Sequence, residues 1–269
     1  MNEIKERKES EESTLLRYFA ITRYVLLKSL ALHNDSSKLD FLLQELEHDE
    51  LFDVALAVQN LQYIFCADFD KILKSGDGTS IDPEIEYAQF LLSRCKLFCL
   101  EPTYSSFLLV SAFLNHASVG KSIECFRTLY ITEFCFLVLY RRLFAKIFNS
   151  FEGYQNLQKF CDEFNKNYTV DSTLSDFRNT SIGAHWIHTV QHSVDAIDES
   201  FNFSLEDEEV KSFEEEYSSR NHMDGVSEAS RGIENILFPF KSETESFCKS
   251  CKSKCHNYLA YTSQLSFLK

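Results

Sequence analysis

Residues 121–149 read KSIECFRTLYITEFCFLVLYRRLFAKIFN, and the fold turns on whether this run crosses a membrane or fills a core. Its apolar stretch extends from Thr128 to Phe144, carries Glu133 inside and meets Arg141 and Arg142 near its end. A helix that spans a bilayer needs about 20 consecutive apolar residues. This stretch is too short and too polar, so it reads as a buried helix of a multi-helix core. Phe126, Tyr130, Phe134, Phe136, Tyr140, Phe144 and Phe148 then serve to fill volume. A carboxylate inside such a helix is costly without a partner. Glu133 is therefore expected either to meet a cation, with Arg178 as a candidate, or to lie on an exposed edge. Arg141, Arg142 and Lys146 suit the negative C-terminal end of the helix dipole.

Working outward, the same 3.6-residue period recurs. It predicts helices over about 13–33, 38–47, 49–74, 82–100, 102–116, 154–168, 174–196, 226–237 and 242–265. Residues 1–12 are charged and expected to fray. Turn-forming residues are scarce, with 7 Gly and 3 Pro in 269 residues. β-Sandwiches and barrels need many more turns, which excludes them. The expected fold is all-α, a bundle of about ten helices. Its expected organisation is an N-terminal helical region (1–80), a helical core (81–200) and a C-terminal helical extension (201–269), or one domain overall.

The formal net charge is −14, which argues against a broad basic face for nucleic acid. That charge is concentrated. Residues 35–86 hold 13 acidic and 3 basic side chains, and residues 198–216 hold 9 and 1, so the remainder of the chain is slightly basic. These acidic runs read as solvated helix faces or as docking faces for a basic partner. Nine dispersed Cys, an odd number, fit reduced thiols, and residues 1–10 contain no apolar segment of a secretory signal. A cytoplasmic protein without membrane association is expected. Cys248, Cys251, Cys255 and His256 form a candidate zinc cluster. One straight helix would spread Cys248 and Cys255 about 10.5 Å along its axis, too far for a single ion. A Lys- and Cys-bearing helix face is the plainer reading, and no cofactor is expected.

Residues 176–188 read DFRNTSIGAHWIH. On one helix, the seven steps from Arg178 to His185 turn the chain about 700°, which places both on one face. Ser181 lies between them, and His188 and His192 continue the face. Gly183 inside a helix costs about 1 kcal/mol relative to Ala, so a close approach by another helix, including one from a second copy, is expected there. Arg offers a fork of donors for a phosphate, and His moves a proton near neutral pH. The pairing suits phosphodiester chemistry without a metal. It also fits an ordinary amphipathic helix. Gly-rich phosphate loops, nucleophile elbows and His-Glu-x-x-His motifs are absent.

The string Arg178-Asn179, five further residues, then His185 resembles the signature of the HEPN superfamily, all-α domains found in many prokaryotic toxins and defence ribonucleases. That signature is an Arg, usually followed by a polar residue, then a His after four to six intervening positions. Six intervene here. The specific match covers about eight residues and leaves residues 1–80 and 200–269 unexplained. The resemblance implies a HEPN-like core and a metal-independent endoribonuclease acting as a toxin or antiviral-defence effector. It implies a homodimer whose two motifs share one cleft, with RNA as substrate and an antitoxin or regulatory protein as a further partner. By the same resemblance His185 transfers protons, Arg178 stabilises the scissile phosphate and Asn179 belongs to the motif. Ser181, His188, Glu133, Arg141 and Arg142 are secondary candidates. A non-catalytic helical protein, dimerising through this helix and docking a partner on its acidic faces, is the alternative.

Overall fold

The helical period is realised as helix in each described segment. The structure, a computed structural model, describes residues 2–31, 43, 49–75, 84–122, 127–168, 172–197 and 203–221. Along these residues run α1 (Asn2–Ala31), α2 (Asp49–Ile64), α3 (Cys66–Ser75), α4 (Glu84–Phe98), α5 (Tyr104–Ser122) and α6 (Arg127–Arg142). A 3₁₀ turn (Phe144–Lys146) follows, then α7 (Phe151–Asn167), α8 (Leu174–Arg178), α9 (Ser181–Asp195) and α10 (Asp207–Asn221). The described residues contain no strand, and none of their helices is long and apolar enough to cross a membrane. The all-α expectation holds. The helices expected at 226–237 and 242–265, and Cys248, Cys251, Cys255 and His256, lie outside the described residues, as does 38–47 apart from Leu43.

The hub is α5, which packs against α1, α2, α3, α4 and α6. Residues 106–115 of α5 are all buried, as expected of a helix that is apolar around its whole circumference. Of its buried polar side chains, Asn115 reaches across the core: its Nδ2 donates to Ser29 Oγ (3.0 Å) and to the Val25 carbonyl (3.4 Å), which fastens α5 to α1. The segment expected to be the central helix, α6, is also buried along most of its length but has fewer neighbours, namely α1, α4 and α5. Aromatic rings from four segments interlock beside α5: Tyr18, Phe107, Tyr140 and Phe148 have centroids 4.7–5.7 Å apart. One core cluster runs from Tyr18 in α1 to Phe213 in α10.

Three helices expected to be continuous are broken. The 49–74 helix is interrupted by a turn at Phe65, whose ring is buried against Phe69 and Phe177, while its N–H still donates to the Leu61 carbonyl (3.0 Å) and its carbonyl accepts the Phe69 N–H (2.9 Å). The 121–149 helix ends at Arg142. The 3₁₀ turn after it seats Phe144 and Phe148 in the core, both against Phe107. The third break separates α8 from α9. Conversely, α1 begins at Asn2 rather than near Ser13, because the straight-chain charged residues of this segment are good helix formers.

Two of the charged residues singled out in the sequence have structural partners. Glu133 accepts a hydrogen bond from Arg23 Nε at 2.8 Å, so its cation comes from α1 and not from Arg178. Arg142 is bonded to Glu209 and to the Ser204 carbonyl and lies over the Phe203 ring, holding the 203–221 segment against α6. Tyr130 completes that junction by donating to the Phe213 carbonyl at 3.0 Å.

Candidate functional site

Two short-range capping systems shape the region that carries the motif. Thr173 opens α8: its N–H and hydroxyl both donate to Asp176 Oδ2, at 2.7 and 2.8 Å. Those bonds hold the Asp176 carboxyl below the ordinary carboxylate value. The single buried side chain of α8 is Phe177, enclosed by Phe65, Phe164, Tyr168 and Trp186. Asn179 ends α8, and Thr180 turns into extended backbone and caps α9. Thr180 Oγ1 accepts the Gly183 N–H at 3.2 Å, accepts the Tyr168 hydroxyl and donates to the Phe177 carbonyl at 3.1 Å. This uses the hydroxyl's whole bonding capacity.

Gly183 belongs to this corner. A Cβ built there would lie 2.2 Å from the Phe177 carbonyl oxygen. The expected close approach exists, but it comes from the preceding helix of the same chain. The same construction occurs at the start of α7, where Ser150 caps Gly153 and a Cβ on Gly153 would lie 2.1 Å from the Ile147 carbonyl oxygen.

The single-helix geometry for Arg178 and His185 is therefore replaced by a corner. Arg178 is the last residue of α8, and His185 lies in the second turn of α9. Arg178, Asn179, Ser181, His185 and His188 are all exposed. On α9, Ser181, Ala184, His185, His188, Gln191, His192 and Asp195 are the exposed positions, and their spacing makes one stripe along the helix. The opposite face is buried, anchored by Trp186, whose Nε1 donates to the Ser105 carbonyl of α5 at 3.1 Å. The exposed Arg141 lies at the end of α6, on another element. Among the described residues no group of three or more His, Cys, Asp or Glu side chains converges as a metal site would require.

Two features of this region were not foreseen from the sequence. Arg94 of α4 is buried and donates to the carbonyls of Ile197 (3.2 Å) and Ala196 (3.5 Å), capping the C-terminal end of α9. Burial pulls its pKa below the usual guanidinium value. An Arg within the apolar run FLLSRCKLF was the available signal. The second feature is a cleft of about 490 Å³ between α7 and the α8–α9 corner. Phe160, Phe164, Tyr168 and Ile182 form its apolar walls, and Glu163, Asn167, Asp176 and Asn179 its polar ones. Asn179 lines the cleft, whereas Arg178 and His185 lie outside its lining. No protein-family model, curated protein or solved structure matches the chain.

Proposed function

We propose that this protein is a metal-independent endoribonuclease of the HEPN type, a cytoplasmic toxin or antiviral-defence effector that acts as a homodimer on RNA. The observation that carries this reading is the exposure of Arg178, Asn179 and His185 around one capped corner. A motif residue buried in the core could not meet a polymer. The corner also lies at the N-terminus of α9, where the positive end of the helix dipole favours a phosphate. The ribose 2′-oxygen attacks phosphorus and the bond to the 5′-oxygen breaks, leaving a 2′,3′-cyclic phosphate and a 5′-hydroxyl. His185 of one protomer accepts the 2′-hydroxyl proton, and the second copy's equivalent histidine donates a proton to the departing 5′-oxygen. Arg178 offsets the charge that builds on the phosphate oxygens.

The test is RNA cleavage in EDTA by wild type, Arg178→Ala and His185→Ala. Wild type is expected to cut, and removal of the proton-transfer group to lower the rate about 10²- to 10⁴-fold. Cleavage that survives both substitutions, or that EDTA abolishes, contradicts the mechanism. The exposed α9 stripe also supports the second reading, a non-catalytic protein that dimerises there. A dimer that cuts no RNA would select it.

A further inference from the structure

The cleft beside the corner has a chemistry opposite to that of the motif. Its lining holds two carboxylates, Glu163 and Asp176, two carboxamides, Asn167 and Asn179, and no cation. A phosphate is repelled from such a lining, and a ligand rich in N–H donors is favoured. The acceptors are available. Both Thr173 bonds fall on Asp176 Oδ2, leaving Oδ1 without a bond among the described residues. Asn167 Nδ2 donates to the Glu163 carbonyl at 2.7 Å, which leaves the Asn167 side-chain oxygen as an acceptor. The exposed Glu163 carboxylate has no hydrogen-bond partner among the described residues. Phe160, half-buried, gives the cleft an aromatic wall.

A volume of about 490 Å³ admits a nucleoside with room to spare. Asn179 faces the cleft while the adjacent Arg178 stays outside it. One nucleotide can therefore insert its base and leave its phosphate outside, near Arg178 and the α9 N-terminus. Among the four RNA bases, guanine alone presents two adjacent N–H donors, N1–H and the 2-amino group, which match the two oxygens of one carboxylate. Its O6 accepts from a neighbouring carboxamide NH₂ group. Adenine and cytosine offer a single amino group on that edge, and uracil a single N–H.

We propose that the cleft between α7 and the α8–α9 corner is a guanine-binding subsite, with the Glu163 carboxylate accepting the base N–H groups, the Asn179 carboxamide donating to O6 and Phe160 stacking on the ring. The subsite deepens the nuclease reading by naming the base beside the cleaved phosphate. Base binding itself does not depend on cleavage.

The test has two arms. Calorimetric titration of the full chain with guanosine, adenosine, cytidine and uridine is the first. Guanosine is expected to bind about tenfold or more tightly than the others, as one bidentate base contact provides. Glu163→Gln, a change at an exposed position that should leave thermal unfolding unaltered, is expected to abolish that preference. Four equal affinities, a preference that survives Glu163→Gln, or Glu163-dependent binding of arginine amide in place of guanosine would overturn the proposal. The second arm maps cuts on an RNA of mixed sequence. Cuts without base preference, together with equal nucleoside affinities, remove the subsite and leave the nuclease. Glu163-dependent guanosine binding by a protein that cuts no RNA keeps the subsite and removes the nuclease.

Discussion

At the scale of single residues, the corner at Thr180 concentrates the most specific requirements. Gly183 is needed because the Phe177 carbonyl occupies the space a Cβ would take. The distance is far inside van der Waals contact, and the obstacle is backbone that cannot rotate away. Gly183→Ala is expected to destabilise the protein by about 2 kcal/mol, an overpacking cost that lowers the melting temperature by about 5 °C in a chain of this size. A melting curve equal to wild type would show that the corner relaxes freely. Thr180→Val keeps the shape and loses the hydroxyl, so the Gly183 N–H and the Tyr168 hydroxyl lose their acceptor. An expected loss of about 2 kcal/mol, read by urea unfolding, combines a lost cap with a stranded buried group. The need for a small residue at position 183 and a close helix beside it were legible in the sequence, but that the helix is the one just before it in the same chain was not. Seen afterwards, Ser150-x-x-Gly153 and Thr180-x-x-Gly183 share one pattern: a hydroxyl cap, then a glycine beneath the carbonyl six residues before it.

At the scale of elements, periodicity predicted where helices form and failed where they break. Phe65, Leu143 and Asn179–Thr180 interrupt segments whose apolar spacing continues, because a period records which face is apolar and not where a turn or a cap such as Thr180 ends the helix. Partners across elements were equally invisible. Glu133 needed a cation, and Arg23 supplies it from 110 positions away. This pair joins α1 to α6, with both side chains largely shielded from solvent. Arg23→Met should strand the carboxylate and lower unfolding stability by about 3 kcal/mol. The double variant Arg23→Met/Glu133→Met should recover most of that loss, since the stranded charge is gone. Equal losses in the single and double variants would show that the pair is not coupled. Arg94 performs the corresponding task for α9, and Arg94→Met should expose the C-terminal amides of α9 to faster hydrogen exchange while those of α5 keep their protection.

At the scale of the whole molecule, one core runs from Tyr18 to Phe213, and the motif stands on its outer surface. The all-α class was legible from the shortage of Gly and Pro and the dominance of one period. The cleft was not, since its lining joins α7 to a separate corner, and nothing local tells which elements meet there. Acid pH tests the assembled ion pairs. The His116 N–H donates to Asp70 at 2.8 Å and, with Lys74 nearby, holds the Asp70 carboxyl below its ordinary value. A depressed carboxylate pKa gives stability that is complete above the unfolded value of about 4 and is lost as pH falls through the folded value. Unfolding midpoints should therefore drop below pH about 4, and His116→Ala should flatten that drop. The net charge of −14 does not bar RNA, because the acidic runs are confined to two stretches of the sequence and the corner carries the exposed Arg178. The chemistry proposed for that corner is most directly tested by incubating RNA with wild type and His185→Ala in EDTA and reading the ends of any fragments. Fragments from wild type should carry 2′,3′-cyclic phosphate and 5′-hydroxyl ends, and His185→Ala should yield almost none. Fragments with 5′-phosphate ends, or the same fragments in the same yield from His185→Ala, would contradict an Arg178/His185 nuclease.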